Sequence, residues 1–139
     1  MDNIWIVRVL EKVSFRLKSL SIYFELRHYI VKKKSYIMKT YRNHRGIGKT
    51  YNLVKLALKY DIPIFVRDDV SKRYCKGTAF QYFNRRLEKS KNFKIIIANE
   101  NARGRRYDTA LLEEGVDSDV LENIVKPMCK CIVGYKFIG

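Results

Sequence analysis

Apolar positions along this chain change their period several times. Over residues 3–31, Ile6, Val9, Leu10, Val13, Leu17, Leu20 and Phe24 recur close to a helical period, which predicts one or two amphipathic helices. Basic residues fill much of the remainder, and Lys32-Lys33-Lys34 closes the segment. A short extended apolar stretch, Tyr36-Ile37-Met38, follows. Leu53, Val54, Leu56, Ala57 and Leu58 then mark a helix that starts at Tyr51 and ends near Tyr60, punctuated by Asp61 and Pro63. Residues 62–66 form an apolar run that reads as a buried strand. Residues 70–90 are more polar, with helical character around 80–87. Residues 93–98 and 107–112 read as buried strands, separated by a polar, basic turn at 99–106. Residues 120–125 read as a short helix stopped near Pro127, and 130–138 as a last strand.

Strands alternating with helices at this spacing predict an α/β fold: a mostly parallel sheet flanked by helices, over residues 36–139. Residues 1–35 form a basic amphipathic helical extension. That extension has three uses open to it: packing on the sheet, lying on a nucleic-acid backbone, or lying on an anionic membrane surface. Met38 is an alternative start that keeps every motif discussed below. At 139 residues and 47% hydrophobic, the chain suits one domain with a single core.

Charge sharpens the picture. The net charge is +15, from 29 Lys and Arg against 14 Asp and Glu. Residues 1–50 hold 12 basic and 3 acidic residues, a net of +9. Such a balance implies an anionic partner, with nucleic acid the first candidate and DNA favoured over RNA. Homo-oligomerisation is left open. The three cysteines, Cys75, Cys129 and Cys131, include no C-x-x-C pair and read as buried small residues of a reducing, intracellular (cytoplasmic) setting. His28 and His44 belong to no metal-ligand constellation. No run of about 18 apolar residues occurs, so no spanning helix is expected.

The stretch Arg45-Gly46-Ile47-Gly48-Lys49-Thr50 lies between the apolar segment at 36–38 and the helix at 51. A strand, a glycine-rich turn ending in Gly-Lys-Thr and a helix is how a phosphate-binding loop is built: backbone N–H groups and the positive helix end converge on an anion. Lys49 would reach the phosphates of ATP, and the Thr50 hydroxyl would hold magnesium. The full pattern G-x-x-x-x-G-K-[ST] wants glycine where Asn43 stands, and Asn is the residue that best replaces glycine at left-handed angles. Sixty residues on, the apolar strand ends in Leu111-Leu112-Glu113-Glu114-Gly115. Ligands of parallel sheets bind at the carboxyl ends of strands. Glu113 would hold the magnesium ion and Glu114 would orient or deprotonate the attacking water.

With these motifs in place, residues 36–115 resemble P-loop NTPases of the additional-strand, catalytic-glutamate class, most of all the large-terminase-type DNA-packaging ATPases of tailed bacteriophages. Arg45 stands four residues before the loop lysine, as an arginine often does in that group. The acid-ended strand resembles their Walker B element, with Glu113 in place of the usual Asp. Arg103-Gly104-Arg105-Arg106-Tyr107-Asp108 resembles the Arg-Gly turn that often precedes it. The resemblance implies a magnesium-dependent ATPase in a DNA-related, packaging-like task of phage origin, acting in the host cytoplasm. Its loop would comprise Asn43, Arg45, Gly46, Gly48, Lys49 and Thr50, with Arg45 and Glu114 catalytic. Arg103, Arg105 and Arg106 would contact either the γ-phosphate or DNA phosphates. Two other readings stand beside this one. The first is a non-enzymatic basic nucleic-acid-binding protein whose loop takes backbone phosphate; the second is a kinase-like phosphotransferase.

Overall fold

The computed structural model describes residues 4–41, 48–87 and 93–138, apart from the side chains of Arg85 and Arg86. Helix α1 (Ile4–Lys32) is one continuous helix. It is followed by β1 (Tyr36–Thr40), α2 (Lys49–Tyr60), β2 (Ile64–Val66), α3 (Asp69–Leu87), β3 (Ile95–Ile97) and β4 (Tyr107–Leu112). The chain then runs through α4 (Ser118–Val120), a π-helical turn (Leu121–Val125) and α5 (Lys126–Met128) into β5 (Cys129–Phe137). Pro127 has no N–H to close on the carbonyl four residues back, which accounts for the widened π turn beside it.

The five strands form one all-parallel sheet in the order β1-β5-β4-β2-β3. The last strand in sequence therefore lies between β1 and β4. A parallel sheet needs cover on both faces, and the buried parts of its strands are largely apolar for that reason, with Lys39, Asp108, Lys130 and Lys136 near the strand ends. On one face Ile64, Val66, Leu111, Cys131, Val133 and Tyr135 pack with Leu53, Val54 and Leu56 of α2, Cys75 and Ala79 of α3, and Tyr23, Leu26 and Ile30 of α1. On the other, Phe65, Ala110, Leu112 and Ile132 pack with Leu121, Ile124, Val125 and Met128. A chain starting at Met38 would lack Tyr23, Leu26 and Ile30 from this core and two residues of β1.

Asn52, buried on α2, donates its amide to the Ser19 carbonyl at 3.0 Å and binds α1 to α2. Helix α2 closes at Asp61, whose left-handed backbone (φ 56°) lets its N–H reach the Ala57 carbonyl. Helix α3 is longer than its sequence pattern suggests. Its buried stripe is Cys75, Ala79 and Phe83, four residues apart, while Tyr74, Phe80 and Tyr82 point outward and blur the period.

Gly134 holds the centre of the sheet together. It pairs with Ile37 of β1 and Leu112 of β4 in one row, and a Cβ built there meets the Leu112 carbonyl oxygen at 2.1 Å. A side chain cannot enter without separating β4 from β5. Gly134→Ala should lower unfolding free energy by about 3 kcal/mol or more in urea titration.

Candidate functional site

The carboxyl ends of β1 and β4 are brought level by β5. Thr40 pairs with Phe137, and the Phe137 N–H reaches back to the Glu114 carbonyl at 3.4 Å. Thr40 and Glu114, 74 residues apart, thus come within one position of the same row. The buried Thr40 hydroxyl lies 3.0 Å from Glu114 Oε2 and 3.2 Å from the Lys136 carbonyl oxygen, and can donate to either.

Lys49 is the first residue of α2, two positions earlier than the apolar pattern predicts. Gly48 caps the helix at φ 76°, a left-handed conformation that glycine adopts without strain. It is also covered: a Cβ there would come within 2.8 Å of Ser19 Oγ on α1. The turn therefore excludes a side chain for two independent reasons. From this position Lys49 extends to Glu114, with Nζ 2.5 Å from Oε2. The pair is largely enclosed, the lysine side chain 11% exposed and the glutamate 30%. Gly48, Lys49, Thr50 and Glu114 line one cavity of about 400 Å³, with Tyr51, Tyr74, Thr78 and Tyr82 along its remaining wall.

Glu113 faces elsewhere. Its N–H continues the ladder to the Phe65 carbonyl, and its Oε2 accepts from the Gly115 N–H at 3.1 Å. A Cβ on Gly115 would sit 3.0 Å from that same oxygen, so the glycine makes room for the carboxylate. Burial raises the Glu113 carboxyl above the usual range, and the charge of Glu114 adds to this; the Gly115 N–H and Arg67 oppose it. The Cys75 thiol is pushed up to about 12 by burial and by Glu113. Both glutamates lie in the turn that follows β4, and the bend of that turn aims Glu114 alone at the lysine.

The structure thus brings Gly48, Lys49, Thr50 and Glu114 together and leaves Glu113 outside the cavity lining. Glu113, expected to hold magnesium beside Thr50, has its carboxylate at the Gly115 N–H, away from the residues that line the cavity with Thr50. The arginines also require correction. The segment after β3 starts at the carboxyl edge, but a parallel connection must cross to the amino end of the next strand. Arg103, Arg105 and Arg106 therefore precede β4, whereas Glu114 follows it, roughly 20 Å away along six strand residues. They are exposed and stand far from the lysine corner; Arg105 instead lines a cleft of about 490 Å³ with Lys72, Lys76 and Lys94. Asn43, Arg45 and Gly46 lie outside the described residues, as does His44.

No family model, curated protein or solved structure matches the chain. Among the described residues no cluster of three or more His, Cys, Asp and Glu side chains could hold a metal ion, and no helix is long and apolar enough to cross a membrane. Tyr74 and Tyr82 stand on the wall of the site. They are 66% and 58% exposed, while Phe83 beside them is buried.

A buried carboxyl with a raised pKa opposes folding once it ionises. Stability should fall as pH rises from the ordinary glutamate value through the folded-state value of Glu113. Glu113→Gln keeps an acceptor for Gly115 and removes the charge. The variant should melt higher than the parent at neutral and alkaline pH, with the difference vanishing in acid below the ordinary glutamate value, as read by thermal unfolding across pH.

Proposed function

We propose that this chain is a nucleoside-triphosphate-binding P-loop protein of the additional-strand class, related in task to phage DNA-packaging ATPases. The observation that carries the reading is the Lys49–Glu114 contact at the amino end of α2, with Thr50 on the wall of the same cavity. Two features a phosphate site needs, a cation on a glycine turn and an acid at the end of another parallel strand, meet there from 65 residues apart. The sheet order supports the class. β5 is an added strand between the loop strand β1 and the acid strand β4.

In this reading Glu114 is the negative group that Lys49 holds before substrate arrives. Triphosphate oxygens compete for the ammonium and take it over, releasing Glu114. The Thr40 hydroxyl keeps the freed carboxylate directed into the cavity. Glu114 then orients a water for attack on the γ-phosphorus and accepts its proton as the bond to the diphosphate breaks. Magnesium takes phosphate oxygens and water along with few protein ligands. The Thr50 hydroxyl on the cavity wall is the group that would hold it, and when bound it would neutralise phosphate charge. The exposed rings of Tyr74 and Tyr82 offer faces for a nucleobase.

Nucleic acid is the proposed macromolecular partner. Lys72, Lys76, Lys94 and Arg105 gather on one cleft with no acid among the described residues of its lining, a pattern suited to backbone phosphates.

Lys49→Ala should abolish binding of ATP–magnesium in calorimetric titration, and unchanged affinity would remove the site. Glu114→Gln frees the lysine. It should bind ATP at least as tightly as the parent while any hydrolysis falls about 10²–10⁴-fold. Weaker binding in this variant would contradict the exchange of partners described above.

A further inference from the structure

The face of α1 turned away from the domain carries a second repeat. Ile6, Leu10, Val13, Leu17, Leu20 and Phe24 are spaced alternately four and three residues apart. That is the a/d seam of a coiled coil, narrower than the stripe a helix needs to pack on a globular core. Leu10, Leu17 and Phe24 occupy a, and Ile6, Val13 and Leu20 occupy d. All six are exposed, from 47% at Val13 to 62% at Leu17. The side of the helix that does pack on the domain is the other one: Leu26, in the core, lies about 160° of arc from Phe24. The repeat ends where the next d position is Arg27, whose Nε donates to the Tyr60 hydroxyl at 2.7 Å.

We infer that this seam pairs with the α1 seam of a second copy of the chain, independently of whether the nucleotide reading holds. The flanking charges favour a like helix over an acidic partner or a lipid surface. Arg8, Glu11, Lys12 and Lys18 fall at the outer b, c and f positions. Only Arg16 borders the seam, and Ser14 and Ser21 line its other edge. An anionic partner would be met by basic residues along both borders, and an anionic bilayer likewise. A copy of the same helix requires no counter-charge there. The area suffices as well. Six side chains about half exposed remove on the order of 1,000 Å² when two helices pair, and Val7 and Val9 at the borders carry the total toward the roughly 1,200–2,000 Å² of specific interfaces. Ile4, Trp5 and Phe15 lie off the seam and take no part in it.

Light scattering on the eluting full-length protein tests this at micromolar concentration. The parent should have twice the 16.5 kDa of one chain. Leu10→Lys combined with Leu17→Lys should have the mass of one chain and an unchanged far-ultraviolet circular dichroism spectrum, since both positions face solvent in the single chain. Should that variant not fold, Leu17→Ser serves in its place and should weaken pairing at least tenfold. Trp5→Lys combined with Phe15→Lys alters the outer face and should leave the pair intact. A parent of single-chain mass overturns the inference, and so does dissociation by the outer-face variant to the same extent. Single-chain protein that co-sediments with phosphatidylserine vesicles overturns it in favour of a lipid surface.

Discussion

Parallel pairing of β5 with both β1 and β4 is the constraint on which the candidate site rests. The loop strand and the acid strand do not touch. Their relative height is set by a third strand, β5, that follows both in sequence and lies between them. Because Gly134 has no side chain, Leu112 of β4 approaches it closely, and the corner formed by Thr40 and Phe137, three residues further on, and Glu114, two residues past Leu112, inherits that alignment. Most of these contacts join residues far apart in sequence, so the corner forms only with the complete sheet.

Within that frame, adjacent glutamates acquire different characters. Glu113 is folded into a dry turn, shared with a backbone N–H, and its ionised form is disfavoured. Glu114 faces a cavity and carries its charge against a lysine. Two carboxylates adjacent in the chain are thereby separated into a structural group and an ionic one by the turn that closes β4 at Gly115.

The individual strands were legible because a sheet covered on both faces demands runs rich in apolar residues, and such runs stand out at 62–66, 93–98 and 107–112. The glycine turn before α2 was legible from Gly48-Lys49-Thr50 because few other residues accept that backbone angle. The order of the strands was not, since nothing local in 129–137 says which neighbours it takes. Nor could the sequence say which glutamate faces the lysine: that depends on how the chain turns after β4, and an apolar run does not reveal it. The basic turn at 99–106 misled for a related reason. It begins at one edge of the sheet and ends at the other, and its arginines all fall in the second half. Helix α3 was only partly visible because cysteine and alanine, small and weakly hydrophobic, form most of its buried stripe.

Ser19 stands over Gly48 and between two outward-facing leucines, Leu17 and Leu20, of the same helix. A long helix resists bending, so α1 moves nearly as a rod. Its tilt fixes the headroom above the glycine corner, and a shift of the rod by less than a bond length changes the clearance at Ser19 Oγ. The outer surface of the molecule and its most enclosed turn are therefore mechanically one object.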